Sequence, residues 1–291
     1  MSTASIPLLQ PDPQKPERAE RFRLPGEARA FREEIRARLE YARALEQLPP
    51  ERYGFVLDRA AWLFWVTGMM YRRYFRAQCD GIEKLPAGPV MLVANHGSHS
   101  LSWDGANIVS ACLLEGDPPR LVHGMAEHVL MRLPILGRVA SRIGAVDGTR
   151  EACSSLLRAG AVVLTFPEGT RALSRRFAQR YQLSPFGHGF MHVALATRAP
   201  IVPVAVIGSE EEAPLLAQPQ WLRKLIGTPT APITPTLFVP LPVRYRLYFG
   251  EPFYPSGAPT RERVARQVEH VRERLAGLIA SGLAARRRIF V

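Results

Sequence analysis

Along this 291-residue chain, short unbroken apolar runs alternate with longer stretches of helical period. The runs fall at 90–94 (Val-Met-Leu-Val-Ala), 161–166, where Thr165 intervenes, and 201–207, and strand-like segments that include basic residues fall at 243–249 and, shorter, at 120–123. Their length and β-branched content predict strands buried on both faces. Between them, 104–114, 151–159 and 190–197 carry helical spacing, and so does 127–143, interrupted near Pro134. From Thr260 onward, Val264, Val268, Val271, Leu275 and Leu278 recur every three or four residues, which gives one apolar stripe on a charged helix. Strands alternating with helices predict an α/β fold with a mixed, largely parallel sheet flanked by helices.

Two segments precede this alternation. Residues 26–48 are densely charged with Leu39, Ala42 and Leu45 at helical spacing, and predict a polar helix. Residues 60–70 (Ala-Ala-Trp-Leu-Phe-Trp-Val-Thr-Gly-Met-Met) are apolar and lie between Asp58-Arg59 and Tyr71-Arg72-Arg73-Tyr74-Phe75-Arg76. This run falls short of the roughly 20 apolar residues that a spanning helix needs. Tryptophan and tyrosine beside arginine instead suit a helix lying in the headgroup region. The expected organisation is therefore a disordered polar N-terminus at 1–25 with no secretory signal, a helical membrane-surface region at 26–78 and an α/β domain at 79–291. Within that domain, 210–242 carries seven prolines around the small amphipathic piece 221–226 and is expected to be loop. Arg286, Arg287 and Arg288 are expected to form a solvated tail.

Composition narrows the class without choosing the partner. With 47% hydrophobic and 22% charged residues, the chain can bury a substantial core. A net charge of +12 suits nucleic acid, anionic lipid or an acidic substrate. No recognisable nucleic-acid motif accompanies it, so no nucleic-acid partner is expected. Cys79, Cys112 and Cys153 stand in no paired or metal-like spacing, which predicts neither a disulfide framework nor a metal site and fits a reducing cytoplasmic compartment.

The chemistry gathers where two of the apolar runs stop, and ligands of open α/β sheets collect beyond the carboxyl ends of strands. The run 90–94 is followed by Asn95-His96-Gly97-Ser98-His99-Ser100-Leu101-Ser102-Trp103-Asp104. A neutral imidazole there can take a proton from a hydroxyl, and a carboxylate on its other nitrogen fixes the tautomer and stabilises the imidazolium. Asp104 is the carboxylate close downstream, and the base is His96, directly after the strand, or His99, five positions before Asp104. No G-x-S-x-G turn surrounds Ser98, Ser100 or Ser102, so their expected roles are capping and turn formation rather than nucleophilic attack. The run 161–166 leads into Phe166-Pro167-Glu168-Gly169-Thr170-Arg171, where glycine permits close backbone approach and arginine offers a forked donor to an anion.

Over residues 55–290 these motifs resemble the lysophosphatidic acid acyltransferase, or 1-acylglycerol-3-phosphate O-acyltransferase-like, family of glycerolipid acyltransferases. The family's third motif is matched at each position from Phe166 to Arg171, and its fourth by Ala199-Pro200-Ile201-Val202-Pro203-Val204, followed by Gly208-Ser209-Glu210-Glu211. The entry Gly81-Ile82-Glu83-Lys84-Leu85-Pro86 is also similar. In the first motif, Asn-His matches at 95 and 96, whereas the family's spacing of four residues to aspartate is met from His99. The family's second motif corresponds to Gly144–Arg150, with Arg150 displaced. The chain thus resembles a branch with altered first and second motifs. The resemblance implies transfer of an acyl group from acyl-CoA or acyl carrier protein to a glycerolipid hydroxyl (of a lysophospholipid, lysophosphatidic acid or a diacylglycerol-like alcohol). It further implies backbone donors at the turn stabilising the oxyanion, acceptor contacts from Glu168, Gly169, Thr170, Arg171 and Arg150, and no bound cofactor. The expected place of action is the cytoplasmic face of a membrane, as a peripheral or monotopic protein. A catalytically inactive membrane-binding relative and a lipid hydrolase or transacylase are the alternatives.

Overall fold

The computed structural model describes residues 25–47, 57–99, 101–128, 144–226, 231–236 and 239–290, together with 131, 137 and 141. The expected disordered N-terminus and most of the expected helix 127–143 lie outside the described residues.

Seven strands form one sheet: β1 (Gln78–Asp80), β2 (Val90–Ala94), β3 (Val122–Ala126), β4 (Val146–Asp147), β5 (Val162–Thr165), β6 (Ile201–Ile207) and β7 (Arg246–Phe249). Their order is β1-β7-β6-β2-β5-β3-β4, and every neighbouring pair is parallel except β6 and β7. The architecture is therefore the expected α/β fold with a largely parallel sheet. β2 and β6 are buried at every position, as strands covered on both faces must be. Their side chains alternate: Val90, Leu92, Val202, Val204 and Val206 join one core cluster, whereas Met91, Val93, Ile201, Ala205 and Ile207 join the other.

Helices α1 (Pro25–Ala44), α2 (Leu57–Met69) and α3 (Trp103–Leu114) cover the first face. α1 contributes Phe31, Ile35, Leu39 and Ala42, and α2 contributes Ala60, Ala61 and Phe64. α2 runs on into a π-helical turn at Met70–Tyr74, which buries Tyr71. Two arginines here make contacts within the protein. Arg72 lies 4.5 Å from the Phe31 ring and pairs with Glu34, and Arg32 lies 5.5 Å from the Trp65 ring. Among the described residues, no helix is long and apolar enough to cross a membrane.

Helices α4 (Arg150–Arg158) and α5 (Gly189–Thr197) and the last helix cover the second face. α4 begins where the Thr149 hydroxyl accepts from the Ala152 N–H at 3.2 Å. Between β6 and β7 the chain makes a short helical turn, α6 (Ser209–Glu212), then an arm over 213–242 that carries α7 (Gln220–Ile226). The last helix, α8 (Arg261–Ala285), buries Val264, Val268, Val271, Leu275 and Ile279, so the expected stripe is its docking face.

Several details depart from expectation. The strand expected at 120–123 occupies Val122–Ala126, and the one expected at 243–249 starts at Arg246. β1 and β4 are too short to carry a period, and their sheet neighbours define them. Residues Ser209–Glu212, expected as loop, form a fully buried helical turn entered through Gly208, whose φ of 111° suits glycine.

Candidate active site

β2, β5 and β6 are mutually parallel, so the segments that follow them emerge at one edge of the sheet. Just past β2, the Asn95 side chain takes the place of a further strand residue. Its amide donates to the Val206 carbonyl at 2.9 Å and its oxygen accepts from the Val206 N–H at 2.8 Å. The chain then turns tightly over β6. A Cβ on Gly97 would lie 2.4 Å from the Glu210 side chain, so only glycine fits at that crossing.

Asp104, in the first turn of α3, is fully buried and gathers this loop around itself. One oxygen, Oδ2, is 2.6 Å from His96 Nδ1 and accepts from the backbone N–H groups of Gly97 and Ser98 at 2.9 and 3.1 Å. The other, Oδ1, accepts from the Gly105 N–H and the Ser102 hydroxyl at 2.8 and 3.1 Å. Burial alone would raise its pKa, but the facing His96 and the backbone donors draw it down to about 2. The carboxylate is therefore ionised at neutral pH. Its place at a helix N-terminus favours the same state.

His96 is 13% exposed at its side chain and stacks on Phe166, with ring centroids 4.4 Å apart. Burial disfavours its charged form, yet the charge and hydrogen bond of Asp104, helped by Glu168 and Glu127, raise its pKa above the ordinary value. With Nδ1 held by Asp104, Nε2 is the nitrogen left to exchange a proton. His99, the other candidate base, is buried elsewhere. Its ring lies by the Ala213 backbone but neither nitrogen makes a well-formed hydrogen bond, and burial together with the His96 charge lowers its pKa to about 4. The pair that forms is thus His96–Asp104. The Ser98 hydroxyl accepts from the Trp103 N–H at 3.0 Å, a capping contact, and Ser100 lies outside the described residues.

Residues 76–207 match the family model described as Acyltransferase. Residues 76–207 thus form a domain of this Acyltransferase family. An uncharacterized protein of Mycobacterium tuberculosis is 36% identical over 234 residues, 76% of this chain and 65% of the relative. A chicken protein named DGAT1/2-independent enzyme synthesizing storage lipids is 29% identical over 177 residues, 60% of this chain and 51% of the relative. The chain therefore spans under two thirds of the length of these curated relatives. The crystal structure of the 1-acyl-sn-glycerophosphate (LPA) acyltransferase, PlsC, from Thermotoga maritima matches with a TM-score of 0.49 and 17% identity, over 87% of this chain and 97% of that one.

In this acyltransferase domain the Phe166–Arg171 turn is built differently from the sequence expectation. Glu168, expected to contact an acceptor, is buried with both oxygens engaged inside the protein. Oε2 pairs with Arg175 and accepts from the Ser184 N–H at 2.6 Å, while Oε1 receives the His96 N–H at 3.4 Å. It is a strut that ties the turn after β5 to the His96 loop after β2. Gly169 adopts φ 59°, and its N–H donates to the Phe166 carbonyl at 3.0 Å. The backbone N–H groups of Gly97, Ser98 and Gly169 thus bond within the protein. Thr170 is half-buried. Arg171 is exposed and donates to the Pro185 carbonyl at 2.8 Å, and Arg150 is exposed at the start of α4.

Sequence reasoning missed the ionic layer beneath the site. Arg175, itself buried, bridges Glu168 and Glu210, the latter at 2.6 Å. The Ser98 hydroxyl donates to Glu212, which also accepts from the Tyr245 hydroxyl at 2.8 Å. Tyr181 donates to Glu211, which pairs with Arg286 at 2.8 Å, so the first residue of the expected solvated tail is tied into the domain. The signal available was three consecutive glutamates directly after an apolar strand. Such residues are rarely buried unless paired, and their partners lie 29 or more residues away in sequence.

Proposed function

We propose that this chain is an O-acyltransferase that moves a fatty acyl group from acyl-CoA or acyl carrier protein to a hydroxyl of a glycerolipid acceptor, working at a membrane surface. The observation that carries the proposal is the His96–Asp104 pair at the carboxyl ends of parallel strands in an acyltransferase-family domain. In the proposed reaction, His96 Nε2 takes the acceptor hydroxyl proton as that oxygen forms a bond to the thioester carbonyl carbon. Asp104 holds the tautomer and stabilises the imidazolium. Collapse of the tetrahedral intermediate breaks the carbon–sulfur bond, and the imidazolium returns its proton to the leaving thiolate. Oxygen ester and free thiol are the products, and His96 is regenerated.

Arg150, Gly169, Thr170 and Arg171 form the proposed acceptor rim. Arg175 is buried and pairs with Glu168 and Glu210. That arrangement supports including neutral acceptors of the diacylglycerol type beside lysophospholipids and lysophosphatidic acid. The reaction needs no bound cofactor, because the acyl thioester enters as co-substrate. The test supplies radiolabelled acyl-CoA or acyl carrier protein to the purified chain with lysophosphatidic acid, lysophosphatidylcholine or diacylglycerol in mixed micelles. Label should appear in a lipid ester with at least one acceptor. Label found only as free fatty acid would make the protein a hydrolase, and none released or transferred would make it an inactive relative.

A further inference from the structure

The arm over 213–242 exposes large apolar side chains on a fixed support. Trp221 and Leu225 lie four residues apart on α7, hence on one side of it, and are 66% and 74% exposed. Leu216 before the helix and Val239 after it are 67% and 65% exposed. The base of the arm is held firmly. Ala217 pairs with Ile233, the Gln218 amide donates to the Leu173 carbonyl, the Leu241 N–H donates to the Glu212 carbonyl at 2.7 Å, and Ala213, Leu215 and Ala231 are buried. Apolar groups presented to water on an anchored scaffold indicate a contact surface.

We propose that this arm is a membrane-docking element whose Leu216, Trp221, Leu225 and Val239 enter the headgroup boundary of an anionic bilayer. Charge selects that occupant. Arg223 and Lys224 sit between the two apolar residues of α7, and the chain carries +12 overall. A lipid surface of negative potential attracts such an arm, whereas a second copy of the chain repels it. Tryptophan and leucine beside basic residues are the composition of an interfacial helix. The sequence alone directed this role to α2, beside which Arg72 is engaged by Phe31 and Glu34. Position adds a reason. The arm leaves the domain directly after Glu212, which accepts from Ser98 two residues past His96, and is tied to Leu173 just past the Phe166–Arg171 turn. Docking there would deliver a lipid hydroxyl to the site. The inference rests on the membrane placement proposed above, and a binding measurement without turnover separates its failure from failure of the acyl-transfer proposal.

The test is sedimentation of the full chain with phosphatidylglycerol vesicles and with phosphatidylcholine vesicles. Wild-type protein should bind the anionic vesicles at least tenfold more tightly. The pair Trp221→Ser and Leu225→Ser should lower that binding at least tenfold, as should the independent pair Leu216→Ser and Val239→Ser. Arg223→Gln with Lys224→Gln should abolish the preference for anionic lipid, and Trp62→Ser on α2 should change binding less than threefold. Because the substituted apolar side chains are exposed, circular dichroism of those variants should stay unchanged. Arm variants that bind like wild type overturn the proposal. So does a wild-type dimer in light scattering that the arm variants convert to monomer, which would assign the surface to a second copy.

Discussion

Replacing Asp104 by asparagine alters one side-chain atom at the most heavily hydrogen-bonded group of the site. Oδ2 receives three donors and Oδ1 two, so an amide in either orientation turns an NH2 toward a group that can only donate. The less costly orientation keeps oxygen toward His96, Gly97 and Ser98 and sets nitrogen against the Gly105 N–H. The negative charge is lost in both. Its worth follows from the carboxyl pKa, drawn from 3.8 to about 2 against the opposing effect of burial. Each unit is about 1.4 kcal/mol, so Asp104→Asn should cost roughly 2–3 kcal/mol of stability near neutral pH. A carboxyl whose folded pKa is depressed contributes stability that is present above its unfolded value and lost as pH falls through the folded one. The urea-unfolding difference between wild type and variant should therefore hold above pH 4 and shrink as pH falls from 4 toward 2. Transfer should fall more than stability, because the imidazolium loses its counter-charge; a decrease of about 10²- to 10⁴-fold in kcat is expected. A folded Asp104→Asn variant that transfers label within threefold of wild type would refute the assignment of Asp104 as the partner of the base.

Two further predictions concern the neighbouring groups. His96→Ala should abolish measurable transfer in the labelled acyl-CoA assay, whereas His99→Ala should keep activity within about tenfold; the reverse result would move the base to His99. Burial raises the pKa of Glu210 from 4.5 to about 7 despite Arg175. A carboxyl raised in this way stabilises the fold at acid pH and loses that contribution as pH climbs from 4.5 to 7. Glu210→Gln should therefore gain on wild type by about 3 kcal/mol between pH 5 and 8 in urea melts, and a constant difference across that range would contradict it.

The sequence by itself determined the layers of this protein. β2, β5 and β6 are unbroken apolar runs because both of their faces are covered, and the valines and leucines of α8 repeat at helical period because one stripe meets the sheet. Those signals are local, being written in consecutive residues. The motifs at 95–104 and 166–171 were legible for the same reason, since each is a short segment just beyond a strand end. Pairings between distant residues were decided only in three dimensions. Spacing along the loop pointed to His99 and position after the strand to His96, and the Asn95–Val206 contact and the crossing at Gly97 turn His96 toward Asp104. Glu168 could not be recognised as a strut without Arg175 and Ser184, nor the buried glutamates after β6 without Tyr181, Tyr245 and Arg286. β1 and β4 are strands because of their sheet neighbours, and Arg72 beyond α2 finds its partner in Glu34 of α1. A local pattern records which side of an element is buried; the partner that buries it or neutralises its charge is fixed by the tertiary fold.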